Sequence, residues 1–137
     1  MRRLIVLTVV IALCAAVPAN AEALILFVSP SGNVGCVISK RFGARCDVRR
    51  HAWEPPPRPA SCPQDLEWGY GLTIDRRGRG TYICATDSAF GGEAAIGRGD
   101  AIRSGRFRCN GIRGGMRCVN LRNRHGFAVT RERARVF

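Results

Sequence analysis

The chain has 137 residues and carries 22 Lys and Arg against 10 Asp and Glu, a formal net charge of +12, with seven cysteines and two histidines. That length suits one hydrophobic core and excludes a multidomain enzyme with its own cofactor domain. Hydrophobic content of 46% is ordinary for a globular protein, and no stretch beyond the N-terminus reaches the roughly 20 apolar residues needed to span a bilayer.

Arg2 and Arg3 begin a basic segment, residues 4–17 are apolar, and Ala19-Asn20-Ala21 is a small-x-small site. This is the pattern of a cleavable export signal over 1–21. A membrane anchor would need a longer apolar run and stop-transfer charges. A lipoprotein signal would need a small residue where Leu13 precedes Cys14. Cleavage after Ala21 leaves 22–137 as one β domain with a charge of +10 and six cysteines, located in a periplasm or outside the cell.

Beyond the signal the hydrophobic period is two, and turn residues recur every eight to twelve positions, which predicts an all-β domain. Strands are expected at 24–28, 34–39, 44–49, 71–74, 81–85, 106–110, 116–120 and 126–130. The only helical prospect is a last turn near 130–135. Pro55, Pro56, Pro57 and Pro59 cannot donate ladder hydrogen bonds, so 53–63 is expected as an extended loop. The expected architecture is a small disulfide-stapled antiparallel sandwich, or a partly open barrel, of about seven or eight short strands. On each strand one side is apolar or cysteine (Val34, Cys36, Ile38; Ala44, Cys46, Val48; Phe107, Cys109), while Arg45, Asp47, Arg106, Arg108 and Arg117 fall on the other. The sulfurs should point inward and the arginines outward.

Cys36, Cys46, Cys62, Cys84, Cys109 and Cys118 make three disulfides in an exported domain. A zinc site is disfavoured, because there is no C-x-x-C pair and the histidines lack ligand spacing. Neither a metal nor another cofactor is expected. Six cysteines allow fifteen pairings, but a two-residue loop at Arg113-Gly114 sets Cys109 opposite Cys118 at a non-hydrogen-bonded position. There the Cα atoms lie ~4.5 Å apart, within reach of a disulfide. Cys36 and Cys46 flank a similar hairpin, with register uncertain by a residue or two around Gly43. Cys62 and Cys84 then pair by elimination.

The charge is unevenly placed: residues 22–97 are net +1 and residues 98–137 net +9. Arg106, Arg108, Arg117, Arg122 and Arg124 are the candidate contacts for an anionic polymer, a nucleic acid or an envelope polysaccharide, since arginine's planar fork grips phosphate and carboxylate alike. The competing reading is compositional. After the signal there are nineteen arginines and only Lys40, as a GC-rich genome would write them, and such side chains keep a monomer soluble. Phe107 and Phe127 alternate with the arginines and are assigned to the core rather than to base stacking.

Catalytic candidates are few, and the domain is read as a non-catalytic binding or envelope-associated module. His51, His125 and Lys40 would suffice for two-imidazole acid/base hydrolysis of nucleic acid or another envelope polymer, which is the alternative. His125, beside Gly126-Phe127, is the one histidine singled out as a candidate site residue. No G-x-S-x-G elbow is present, and no cysteine is left over as a nucleophile.

The strings SPSGNVGC (29–36), RCDV (45–48), WEPPPRPASC (53–62), EWG (67–69) and HGFAVTR (125–131), in this order, resemble a family of uncharacterised exported bacterial proteins, a domain of unknown function. The resemblance runs from about Phe27 to Phe137. It implies a small disulfide-containing extracytoplasmic domain and no particular activity. Thr86 before Asp87, where Gly is expected, and Ala134, where Tyr is expected, depart from the pattern.

Overall fold

The computed structural model describes residues 23–137; the expected export signal, with Cys14, lies outside the described residues. Ten strands follow one another: β1 (Ile25–Val28), β2 (Val34–Ser39), β3 (Gly43–Val48), β4 (Glu67–Ile74), β5 (Thr81–Ala85), β6 (Ala101–Ser104), β7 (Phe107–Ile112), β8 (Gly115–Asn120), β9 (Gly126–Thr130) and β10 (Ala134–Val136). They form two antiparallel five-stranded meanders, β1-β2-β3-β4-β5 and β10-β9-β8-β7-β6. Neither closes into a barrel. β3 lies against β7 and β8, and β4 against β9, so the sheets stack as a sandwich.

The count exceeds the expected seven or eight by β6 and β10. Both are edge strands of only four and three residues, Ala-Ile-Arg-Ser and Ala-Arg-Val, with no fully buried position, too short to register as a period. Thr130 to Arg133 closes a tight turn instead of a helical one, with the Thr130 amide donating to the Arg133 carbonyl at 2.8 Å and β10 beginning at Ala134.

The two sheets are built to one plan. Phe27, Cys36, Cys46 and Leu72 stand abreast across β1 to β4, and Ile102, Cys109, Cys118 and Phe127 stand abreast across β6 to β9. The turn into the third strand of each sheet carries the same signature, Gly43-Ala44-Arg45-Cys46 and Gly115-Met116-Arg117-Cys118. The glycine has the same duty in both. A Cβ on Gly43 would lie 1.9 Å from the Ile74 carbonyl oxygen, and one on Gly115 would lie 1.9 Å from that of Val129. No other residue lets the neighbouring strand come so close.

The inward faces of both sheets make the core, with Phe27, Ile38, Leu72, Phe107, Met116, Phe127 and Val129 fully buried. Each sheet contributes one cross-strand bridge. Cys36–Cys46 and Cys109–Cys118 have Cα separations of 4.1 and 4.0 Å, the spacing of directly opposed residues at a non-hydrogen-bonded position. Their sulfurs meet across the sandwich, Cys46 Sγ to Cys118 Sγ being 3.8 Å. The third bridge, Cys62–Cys84, joins the proline loop to β5 and lies outside the core cluster, so the expectation of inward sulfurs holds for two bridges of three.

The proline loop is clamped by indoles. Trp53 Nε1 donates to the Thr130 carbonyl at 2.9 Å, and Trp68 Nε1 to that of Pro56 at 2.8 Å. Gly69, at φ +82°, lets Pro55 cross where a Cβ would sit 2.3 Å from its ring. Residues 94–98 strap the two sheets together, through Val28↔Ala95 at the edge of β1 and Arg98↔Gly111 beside β7.

Candidate functional site

Four turns meet at one pole of the sandwich: residues 40–42, 75–80, 105–106 and 121–125. Lys40 packs against Gly105, and Asn120, fully buried, fastens the last three of these turns. Its Nδ2 reaches the carbonyls of Asp75 (3.4 Å) and Arg76 (3.3 Å), and its Oδ1 accepts from the Arg122 amide at 3.0 Å. The Leu121 amide donates to the Arg106 carbonyl at 2.8 Å, and the Arg124 amide to the Asn120 carbonyl at 2.9 Å. The turns of both sheets are therefore held as one surface.

That surface is cationic. Lys40, Arg41, Arg76, Arg103, Arg106 and Arg122, with Gly105 and Leu121, line an open cleft of about 730 Å³. An adjoining hollow adds Arg77, Phe42 and Asp75. Arg106 registers the crowding: its pKa is pushed below the ordinary guanidinium value by desolvation and by the like charges of Arg76 and Arg122. Asp75 brings a carboxylate, but its Oδ1 already accepts the amides of Gly78 (2.6 Å) and Arg77 (2.8 Å).

A second basic hollow, of about 530 Å³, adjoins the pole on the outer face of the second sheet and is lined by Arg108, Asn110, Arg117, Val119, Leu121, Arg124 and Phe137. The Arg117 guanidinium lies 4.7 Å from the centre of the Phe137 ring. Arg103 and Arg108 stand directly opposite one another on β6 and β7, a like-charge pairing that costs stability unless something neutralises it. Arg124 takes a left-handed backbone, φ 67°, the one non-glycine residue among those described to do so. Strain of this kind is retained where the surrounding structure enforces it.

The five arginines singled out in the sequence thus divide, Arg106 and Arg122 at the pole and Arg108, Arg117 and Arg124 on the sheet face. Sequence reasoning missed Lys40, Arg41, Arg76, Arg77 and Arg103 as members of one surface. Most belong to the half of the chain whose charges nearly cancel in the count, and only their shared pole shows them. The histidines are not brought together. His51 follows β3 toward the opposite pole, stacks on Trp53 at 3.8 Å and donates from Nδ1 to the Trp53 carbonyl at 2.7 Å. His125 is in the turn before β9, its amide bonded to Asn123 Oδ1 at 3.0 Å. Phe107 and Phe127 are fully buried and offer no stacking surface.

Arg45, the counterpart of Arg117 in the first sheet, is arranged differently. Its Nε and Nη2 donate to the two oxygens of Asp47 at 2.8 and 2.9 Å, Nη1 to Asp87 Oδ1 at 2.7 Å, and Nη2 also to Tyr70 Oη at 2.8 Å. Burial disfavours this cation, but the hydrogen bonds it donates to Asp47 and Asp87 outweigh it and raise its pKa. Both ion pairs among the described residues are made by Arg45.

The Asp75 turn gives a pH dependence. The Gly78 amide, then that of Arg77, holds the Asp75 carboxyl below the usual carboxylate range, burial opposing them. A carboxyl whose pKa is depressed on folding adds stability that is fully present above its unfolded value of about 3.9 and is lost as pH falls through the folded value. Replacing Asp75 by Asn is therefore expected to make the fall of melting temperature below about pH 4 shallower. An unchanged profile in thermal melts across that window would show that the turn does not titrate.

A family model described as "Family of unknown function (DUF6636)" matches residues 5–137. No curated protein and no solved structure matches the chain.

Proposed function

The chain belongs to this family of unknown function, and from its surface we propose that it is an exported, monomeric, non-catalytic module that holds an anionic envelope polymer along a basic track. The track runs from the pole cleft (Lys40, Arg41, Arg76, Arg103, Arg106, Arg122) to the sheet face (Arg108, Arg117, Arg124). One observation carries the reading. Among the described residues the ion pairs belong to Arg45 alone, so the track's cations crowd together without internal carboxylate partners. Such a field concentrates an anionic chain, and two adjoining clefts suit a chain better than a single small ion.

Export is supported by the N-terminal pattern and by three disulfides, which persist in oxidising compartments. No helix among the described residues is long and apolar enough to cross a membrane. The test is binding of the oxidised protein to lipopolysaccharide, teichoic acid, alginate, nucleic acid and an uncharged dextran over a salt series. At least one anionic polymer is expected to bind with affinity falling steeply with salt. Changing Arg76, Arg106 and Arg122 to Gln should flatten the log–log slope by roughly one unit per lost contact. No binding at about 0.15 M salt, or a slope indifferent to these changes, would make the charge compositional.

A further inference from the structure

The correspondence between the two sheets shows what is missing around Arg117. In the first sheet Arg45 and Asp47 project from the outer face of β3, and the carboxylate takes two parallel hydrogen bonds from the guanidinium. In the second sheet Arg117 occupies the place of Arg45: Arg45 pairs across with Val37 and Thr73, and Arg117 with Asn110 and Ala128. The place of Asp47 is taken by Val119. Asp47 stands opposite Gly71, and Val119 opposite Gly126. The second acid of the first sheet, Asp87, comes from the segment that follows β5. Where the first sheet holds an internal carboxylate, the second presents the same arginine over an aromatic ring in an open hollow, flanked by Arg108 and Arg124.

We infer that Arg117 is the centre of a socket for an external carboxylate, supplied by an acidic polysaccharide of the uronate type. This rests on the track proposed above and narrows its ligand. In the first sheet the arginine at this register takes a planar carboxylate bidentately, the geometry in which a guanidinium fork is most selective. Arg108 and Arg124 line the same hollow and add charge, and the Asn110 amide offers a donor and an acceptor for sugar hydroxyls. A single-stranded nucleic acid would call for a row of free aromatic platforms; Phe107 and Phe127 are fully buried, and Phe137, the aromatic that lines this hollow, already has the Arg117 and Arg135 guanidinium groups at its ring.

The experiment measures binding of the oxidised protein, wild type and variants, to alginate oligomers, to polyphosphate of matched charge and to poly-glutamate. Arg117→Gln is expected to weaken alginate binding about tenfold or more while changing polyphosphate binding by no more than a few-fold. Val119→Asp, which restores an internal carboxylate two residues from the arginine, is expected to have the same effect. Arg117→Gln is exposed and keeps the test valid if Val119→Asp does not fold. Equal alginate affinity in wild type and Arg117→Gln would overturn the socket. An equal loss for alginate and polyphosphate would overturn its preference for carboxylate, and tighter binding of poly-glutamate than of alginate would overturn the saccharide class. Polyphosphate bound through the pole with alginate ignored would defeat this inference and leave the track standing, whereas failure of every anionic polymer would remove both.

Discussion

Replacing Arg45 by Met is expected to destabilise the fold by about 3–5 kcal/mol, the usual result of removing one partner from a buried ion pair. Asp47 is 1% exposed, and its carboxylate is balanced by the Arg45 fork and by the Ala89 amide at 2.7 Å from Oδ2. Without the guanidinium a charge is left with one neutral donor in a site that water does not reach. Its counterpart, Arg117, is exposed and has no carboxylate beside it, so Arg117→Gln should stay within about 0.5 kcal/mol of wild type. Urea unfolding of the oxidised proteins checks both values. Equal effects at the two positions would contradict the contrast between the sheets on which the functional argument depends. The double change Arg45→Met with Asp47→Leu should recover much of the loss, because the pair and not the arginine alone needs replacing.

The second large effect concerns the cystines, where two physical arguments predict opposite orders. Loop entropy favours the longer link: Cys62–Cys84 is separated by 22 residues and Cys109–Cys118 by 9, worth about 3.4 and about 2.6 kcal/mol respectively in the chain-entropy model. Packing favours the shorter, since Cys109 and Cys118 are fully buried and Cys118 lies against Cys46 of the other sheet. Truncating these sulfurs to Ala leaves a cavity at the centre of the core, whose lining loses contacts outright. Cys109→Ala with Cys118→Ala is therefore expected to cost more than Cys62→Ala with Cys84→Ala, by about 1 kcal/mol or more. The reverse order in chemical denaturation would mean that the bridges act on the unfolded chain alone.

Much of the fold could be read from local pattern. The β7–β8 hairpin register followed from two loop residues, Arg113 and Gly114, and placed Cys109 opposite Cys118 as observed. Alternation gave the buried face of β2, β3, β7 and β8. Other features were less legible, for identifiable reasons. Asp47 alternates outward with Arg45, yet it is buried because the segment around Asp87 and Ala89 folds back over the outer face, and no sequence period records such a cover. β6 and β10 are edge strands, paired on one side only, and at four and three residues are too short to show a period in the sequence. The repeat of Gly-x-Arg-Cys at 43–46 and 115–118 was present in the sequence, but its meaning depends on the glycine contacts and strand pairing that recur with it. The basic pole was the least visible feature. Its cations come from four turns scattered over the chain and from Arg103 on β6, and the fastening residue, Asn120, reads as an ordinary strand-end asparagine until its bonds to Asp75 and Arg76 are seen.

The contrast between the sheets also gives the protein a direction. One outer face closes its charge internally through Asp47 and Asp87, whereas the other leaves Arg108, Arg117 and Arg124 facing solvent beside a cationic pole. On the proposed function, two sheets of one plan divide the work, the first contributing to stability and the second to recognition.

The most direct measurement is an amide chemical-shift map of the oxidised protein as alginate is added at about 0.15 M salt, where loosely held surface charge is screened. Saturable shifts are expected at 40–42, 76–78, 105–108, 117–119 and 121–125, with residues 45–47 and 87–89 unmoved. Shifts centred on the Arg45 face, or none at any residue, would contradict the proposed track.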